Sequence, residues 1–233
     1  MKIIGYAAAM LLLSSCNMVT GNGHVRKENR NPGDFTGVRS SGSVDVEISN
    51  GTACSVTVED DDNLLPYLVT EVINGTLYIH YKNGTSVNND HSKVYVTAPA
   101  LNEVNTSGSA DIVITDVLKS TDKIDMSATG SGSIKGAVDA PAISVDISGS
   151  GNVKLSGRTK DFDCSVTGSG DADCGSLASE NTKIDVSGSG NAHVFASVHL
   201  SASVTGSGDV YYRGNPPNPD IHTSGSGSVH AEQ

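Results

Sequence analysis

From Asn102 onward, small or apolar residues alternate with polar ones inside a longer repeat, and each unit contains a glycine–serine corner. Positions two and four before the first glycine of each corner, and four and six after it, are small or apolar in nearly every unit. These first glycines, called corner glycines below, lie 18 to 22 residues apart and are Gly108, Gly130, Gly149, Gly168, Gly188, Gly206 and Gly225. The pattern predicts short parallel strands stacked coil upon coil, with the glycines at the turns.

The segment before Asn102 alternates in a similar way but does not repeat. Residues 44–48 alternate between apolar and polar, and the Asn-Gly pair at 74–75 separates two alternating runs, which is a strong hairpin signal. The acidic segment 59–68, EDDDNLLPYL, interrupts these strands and predicts a solvated loop that leads into a short helical turn.

Together these patterns predict an all-β chain that forms a solenoid of stacked parallel strands, with about 19–20 residues per coil. We expect one domain over residues 31–233, with irregular coils and a hairpin over 31–101 and regular repeats over 102–233. A disordered Gly/Ser tract would not keep aligned apolar columns, so a linker is excluded.

The N-terminus resembles a bacterial export signal. Lys2 supplies a positive charge, residues 3–13 are apolar but too short to span a bilayer, and the LSSC sequence ending at Cys16 resembles a lipobox. We therefore predict a signal peptide over 1–15, acyl chains such as palmitate on Cys16, and a tether over 16–30. The predicted location is the outer membrane, on a face that stays open. The alternative is an ordinary signal peptide with an incidental cysteine.

Charge and composition narrow the choice of partners. The formal net charge of −11 argues against nucleic acid and against electrostatic docking on anionic lipid. With three Phe and no Trp, an aromatic platform for a sugar ring is disfavoured. Two classes of partner are left by these observations: a glycan, and a protein surface of the host or the envelope. A second copy of the chain is a third candidate partner, because we expect the last coil to have either an open strand edge or an internal cap.

The acidic residues of the repeats are the only candidate catalytic cluster. The nearest grouping is Asp163, Asp171, Asp173 and Asp185. Asp171 and Asp173 flank an inward Ala172, so both point outward, which a solvated face also produces. We therefore predict a non-enzymatic adhesin-like binding or structural module. The alternative, a β-helical polysaccharide lyase or hydrolase, requires a cleft with converging carboxylates on adjacent coils.

No cofactor or metal site is expected. His193 and His230 share an outward column with Tyr211 between them, and a separation of two coils, near 10 Å, is too large for one zinc ion. The Asn and Asp residues three positions after the corner glycines are expected to hydrogen-bond within their own turns.

Cys164 and Cys174 both fall in inward columns of one coil, before and after the same corner. A disulfide across the interior is one interpretation, and two plain small core residues are the other.

The order of features resembles one known family. The stretch GNGHVRKENRNPGDFTGVRSSGSVDVEI, with Gly21, Phe35, Val38, Ser41 and Gly42, is followed by DDNLLPYLVTEVINGTLYIHY and then by the SGSG coils. This order is similar to that of bacterial envelope proteins described as auto-transporter adhesins with a head GIN domain. The resemblance implies a right-handed single-stranded parallel β-helix of the pectate-lyase-like type, a handedness that agrees with the rule for parallel crossovers. It also implies an envelope location, and it carries no catalytic residues over to this chain.

Overall fold

The computed structural model describes residues 17–88 and 91–232, so the predicted signal peptide and Cys16 lie outside the described residues. Strands dominate these ranges, and no helix within them is long and apolar enough to cross a membrane. The strands are β1 (Asn17–Thr20), β2 (Val25–Arg30), β3 (Gly37–Gly42), β4 (Asp45–Asn50), β5 (Ser55–Asp61), β6 (Leu68–Ile73), β7 (Thr76–Tyr81), β8 (Thr85–Asn88), β9 (Lys93–Ala98), β10 (Glu103–Gly108), β11 (Ile112–Lys119), β12 (Ile124–Gly130), β13 (Ser133–Gly149), β14 (Asn152–Gly168), β15 (Ala172–Gly188), β16 (Ala192–Phe195), β17 (His199–Gly206), β18 (Val210–Arg213), β19 (Asp220–Gly225) and β20 (Val229–Ala231).

Parallel pairing in register stacks each coil of the repeat region on the next, which confirms the predicted β-helix. All the corner glycines align in one column, from the β10–β12 pair to the β17–β19 pair. One inward column runs through Met126, Val145, Cys164, Ile184 and Ala202, and all five are buried. Each large apolar side chain buried in such a column contributes about 1.5–3 kcal/mol to folding.

The corners require glycine for two reasons, which Gly168 illustrates. Its φ of +119° lies in a region that side-chain-bearing residues avoid. A Cβ at this position would also lie 2.4 Å from the carbonyl oxygen of Gly149 in the preceding coil. That oxygen accepts a hydrogen bond of 2.8 Å from the N–H of Ser169, so the backbones of successive corners are in direct contact.

Asn and Asp side chains link neighbouring coils near the corners. The N–H of Asp171 donates to Oδ1 of Asn152 at 3.0 Å, and the N–H of Asn191 donates to Oδ1 of Asp171 at 2.8 Å. The N–H of Asp209 likewise donates to Oδ1 of Asn191 at 3.1 Å. The prediction that these side chains bond within their own turns is therefore wrong: each satisfies a backbone donor of the following coil.

The stacked register begins well before Asn102. Strand β3 pairs in parallel with β10, which places Gly42 directly beside Gly108, and β4 pairs with β11. Gly42 has a φ of +92° and is thus a further corner of the same column. The chain between β4 and β10 is an insertion into the helix, and within it β7 and β9 add to the free sides of β3 and β4.

Antiparallel strands close the N-terminal end. Strand β6 pairs with β7 across the hairpin predicted at Asn74–Gly75, which is confirmed: both residues have positive φ, 51° and 82°. On the other side, β5 pairs antiparallel with β9 and β2 pairs with β5. Both outer parallel strands are therefore covered.

The acidic segment 59–68 belongs to this closure. Its helical turn forms as predicted, with the N–H of Leu65 donating to the carbonyl oxygen of Asp61 at 3.1 Å. The prediction of a solvated loop is wrong, however, because Asp60 and Asp61 are buried. Oδ2 of Asp60 accepts a hydrogen bond of 2.5 Å from the hydroxyl of Tyr81, which offsets the desolvation of that carboxyl.

The C-terminal end is open along the described chain. Strand β19 pairs with β17 on one side, β20 pairs with β18, and neither has a further partner among the described residues. Every residue of β19 is exposed, including Ile221, whose column is buried in the coils before it.

Candidate functional site

The four aspartates of the candidate catalytic cluster do not converge. Asp163 and Asp185 lie on strands that precede their corners, whereas Asp171 and Asp173 follow the corner at Gly168. Lys154 pairs with Asp173, and Nζ of Lys183 lies 2.9 Å from Oδ2 of Asp185. These hydrogen bonds raise the pKa of both ammonium groups. Asp173 and Asp185 thus lie near opposite ends of β15, and each is paired with a lysine rather than facing another carboxylate across a groove.

Metal binding finds no support in the side chains. Within residues 17–88 and 91–232, no three His, Cys, Asp or Glu side chains are grouped as metal ligands. His193, Tyr211 and His230 form a stack of rings instead, with centroid separations of 4.7 and 5.2 Å. Nδ1 of His193 also lies 3.6 Å from a carboxylate oxygen of Glu232. The column places these rings flat against one another, so their faces are mostly occupied.

Both thiols of the predicted disulfide are free and buried in the structure. Burial raises the pKa of the Cys174 thiol from 9.0 to about 12 and holds that of Cys164 well above its usual value. They contribute to the core as small apolar residues in this form. The disulfide stays a prediction.

The corner column carries the most regular exposed surface of the molecule, which we call the hydroxyl edge. A Ser or Thr precedes each glycine of this column and a Ser follows it, and all of these side chains are exposed. The preceding residues are Ser41, Ser107, Thr129, Ser148, Thr167, Ser187, Thr205 and Ser224, and the following ones are Ser43, Ser109, Ser131, Ser150, Ser169, Ser189, Ser207 and Ser226. Adjacent rungs are spaced by the parallel-strand distance of about 4.8 Å. This surface was not predicted from the sequence, although hydroxyls on both sides of every corner glycine signal it.

The hydroxyl edge runs into an open groove at the closed end, which we call the N-terminal groove. It has a volume of about 630 Å³ and is lined by Arg39, Ser41, Gly42, Ser43, Tyr78, His80, Tyr81, Lys82, Asn83, Gly84, Thr85, Val87 and Ser107. Three separate parts of the chain meet here, because β3 lies between β7 and β10. Sequence reasoning could not find this site, since it depends on pairing between segments far apart in the chain.

Arg39 is held rigidly beside the N-terminal groove. Its Nη2 lies 2.8 Å from Oε1 of Glu103, and Oε2 of the same carboxylate accepts a hydrogen bond of 2.9 Å from Thr76. The guanidinium also lies over the Tyr78 ring, 5.5 Å from its centroid. Such contacts fix the orientation of a cation before any ligand arrives.

A protein family described as "Putative auto-transporter adhesin, head GIN domain" matches residues 34–216 of the chain. No curated protein matches the sequence.

Solved structures share the fold. A "putative adhesin" from Bacteroides fragilis has a TM-score of 0.85 at 21% identity, over 92% of this chain and 100% of that one. A "putative lipid binding protein" from Parabacteroides distasonis has a TM-score of 0.75 at 26% identity, over 93% and 100%. A "putative adhesin" from Parabacteroides merdae has a TM-score of 0.74 at 22% identity, with the same coverage. At these identities, the adhesins from Bacteroides fragilis and Parabacteroides merdae support the fold alone.

Proposed function

This chain belongs to the family described as "Putative auto-transporter adhesin, head GIN domain", and from that premise we propose that it is a non-enzymatic adhesion module of the bacterial envelope. In this proposal, acyl chains on Cys16 anchor the protein to the outer membrane, and the tether presents the β-helix to a glycan or to a protein surface. A stable anchor of this kind needs no membrane-spanning segment.

The hydroxyl edge is the observation that carries the proposal. Its Ser and Thr side chains stand exposed on every coil from Ser41 to Ser226, and no inserted loop interrupts them within the repeats. Hydroxyls can donate and accept hydrogen bonds, so a rigid row of them suits a partner whose own polar groups repeat. The dispersal of Asp163, Asp171, Asp173 and Asp185 supports binding over catalysis.

A cell-adhesion assay tests the proposed function. Beads coated with the purified protein should adhere to host-cell or bacterial-envelope surfaces more strongly than beads coated with albumin. In the bacterium, Cys16→Ser should release the protein from the membrane fraction, whereas Cys54→Ser should leave it there. Beads that adhere no better than the albumin control would contradict the adhesion role, and membrane retention of the Cys16→Ser variant would contradict the anchor.

The enzymatic alternative has its own measurement. The protein should release no unsaturated or reducing sugar ends from acidic polysaccharides over long incubation. If such ends do appear, and if Asp171→Asn or Asp173→Asn abolishes them, the chain is a polysaccharide-cleaving enzyme and the proposal is wrong.

A further inference from the structure

We infer that the N-terminal groove binds an acidic glycan, with the acid group of one sugar at Arg39 and Lys82 and the adjoining sugars on the hydroxyl edge. This inference rests on the proposed function and specifies its ligand class. The lining residues lie on β3, β7, β8 and β10 and in the turns that follow β3 and β7.

The charge of the groove is opposite to that of the protein. The chain has 26 Asp and Glu against 15 Lys and Arg. Nevertheless, the groove is lined by Arg39, His80 and Lys82 and by no aspartate or glutamate. Four further grooves on the described chain each include at least one carboxylate among their lining residues. A cationic site on an acidic protein selects an anion at short range, because the surrounding charge repels anions elsewhere.

Two carboxylates lie near these basic groups without cancelling the site. Glu103 pairs with Arg39 at 2.8 Å, and Glu71 lies 3.7 Å from Nε2 of His80. The Lys82 side chain is exposed and makes no ion pair within the described residues, and its ammonium lies 5.8 Å from the centroid of the Tyr67 ring. The lining of the groove therefore includes one cation without an ion pair among the described residues, at Lys82, and a guanidinium with further N–H donors, at Arg39.

The remaining lining groups match sugars better than lipids. Hydroxyls of Ser41, Ser43, Thr85 and Ser107 and the amide of Asn83 can pair with sugar hydroxyls. Val87 is the single aliphatic side chain among the lining residues, which leaves no apolar channel for an acyl chain.

The position of the groove favours a polymer over a free small acid. Ser41 and Ser43 belong both to the groove and to the hydroxyl edge, so a chain bound in the groove continues onto the exposed hydroxyls of the next coils. The spacing of about 4.8 Å between rungs provides several hydrogen-bonding positions per sugar pair. Many weak contacts along one rigid ligand add to an affinity that a single sugar does not reach.

Binding to immobilised glycans tests the inference. We expect the purified protein to bind polygalacturonate and chondroitin sulfate and not dextran, with binding weakened as salt is raised. The double variant Arg39→Gln/Lys82→Gln should lose at least about tenfold in affinity, since it removes two charge-assisted contacts. The matched control Lys135→Gln/Lys160→Gln changes the net charge equally, outside the groove, and should bind like the wild type. Because Arg39→Gln removes the partner of Glu103, Lys82→Gln alone should also weaken binding while leaving thermal unfolding unchanged.

The outcomes separate this inference from the proposed function. Equal losses in the groove and control variants would mean nonspecific attraction and would overturn the inference. Binding only to vesicles that contain an anionic phospholipid would assign the groove to a lipid headgroup and would overturn it too. Failure to bind any acidic glycan, while coated beads still adhere to cells, would refute the inference alone. If neither glycans nor cells are bound, both proposals fail.

Discussion

The two ends of the β-helix differ in how they treat their outermost parallel strands. At the N-terminal end, β6 covers β7, β5 covers β9 and β2 covers β5, all by antiparallel pairing. At the other end of the described chain, β19 and β20 pair on one side only, and every residue of β19 is exposed to some extent. A further parallel coil would leave another open strand edge of the same kind. In this protein, strands of the opposite direction end the parallel stack by pairing with its outermost strands.

The closed N-terminal end also contains the candidate binding site. The antiparallel insertion between β4 and β10 closes the core and, in doing so, brings the turn after β7 against the first rungs of the hydroxyl edge. The four grooves along the repeats each include at least one carboxylate, whereas the lining of the N-terminal groove includes none. The end that departs from the repeat therefore supplies the groove, and the self-association predicted at the open end stays a prediction.

The largest effect is expected from a side chain placed in the corner column. Gly168→Ala forces a positive φ on alanine and places its Cβ 2.4 Å from the Gly149 oxygen, at a cost of about 2–6 kcal/mol in the free energy of unfolding. Gly225→Ala meets a similar clash, 2.3 Å from the Gly206 oxygen, but in the open last coil. We expect that coil to detach locally, at about 1 kcal/mol or less. Urea denaturation measures both, and equal losses would show that the last coil unfolds with the rest.

Truncating one apolar side chain at each end should give the next largest difference. Leu77 on β7 is fully buried under the closing strands, whereas Ile221 on β19 is 39% exposed. Leu77→Ala should destabilise the protein by about 2–5 kcal/mol because it leaves a cavity. Ile221→Ala should cost less than about 1 kcal/mol, since no cavity forms at an open edge. If both variants lost the same stability, Ile221 would have to be covered in solution, by a further segment or a second copy.

A smaller, pH-dependent effect is expected in the closing strands. Tyr95 donates a hydrogen bond of 2.6 Å to Oε2 of Glu59, and this bond, with the nearby Lys27, lowers the pKa of the Glu59 carboxyl below 4.5. A lowered pKa stabilises the fold above the ordinary value, and that stability is lost as the pH falls through the native one. Tyr95→Phe should therefore cost about 1 kcal/mol at neutral pH, and this cost should decrease as the pH falls through the lowered native pKa of Glu59 and the carboxyl becomes protonated.

The control for this measurement is Tyr212→Phe, on β18 near the open end. We expect its destabilisation to be the same throughout this pH range. A constant cost for Tyr95→Phe across the whole acid titration of the folded protein would mean that the hydroxyl contributes by packing and that Glu59 is not involved.

The columns of the repeats were predictable because a period of two and a period near twenty together fix the register. The inward orientation of Met126 and Ile184, for example, could be predicted from their distance in sequence to a corner glycine alone. Gly42 was missed as a corner because the insertion separates it from Gly108, so no nearby repeat reveals it. The burial of Asp60 was also hidden, because it depends on a hydrogen bond to Tyr81, which is remote in sequence.

The two parts of the candidate site also differ in whether the sequence could predict them. The hydroxyl edge is local to each corner and could have been read from the residues on both sides of Gly168 or Gly188. The N-terminal groove could not, because Arg39 and Lys82 line the same groove only through parallel pairing of β3 with β7. Local patterns fix strands and corners, whereas surfaces built by nonlocal pairing need the fold itself.

Chemical labelling of the three cysteines in the described part of the chain compares the closed end of the β-helix with its middle, and it needs no substitution at either place. Cys54 is half-buried, with its Sγ 3.4 Å from the Phe35 carbonyl oxygen, whereas Cys164 and Cys174 are buried in central coils. In a Cys16→Ser background, a maleimide should modify Cys54 in the native protein and the other two only after unfolding. At a pH of about 10, Cys174 should still not react with the maleimide. Burial raises the pKa of its thiol to about 12, and the thiolate is the reactive form.

Counting thiols in urea without reductant then decides between the two interpretations of Cys164 and Cys174. Three reactive thiols would match the free cysteines of the structure, and one would mean that the pair is bonded. If the pair is free, rapid labelling of Cys174 in the folded protein would show that the middle coils open more readily than the closed end. That result would overturn the expectation that stability falls only toward the open end, because a buried neutral thiol reacts only when its coil unfolds.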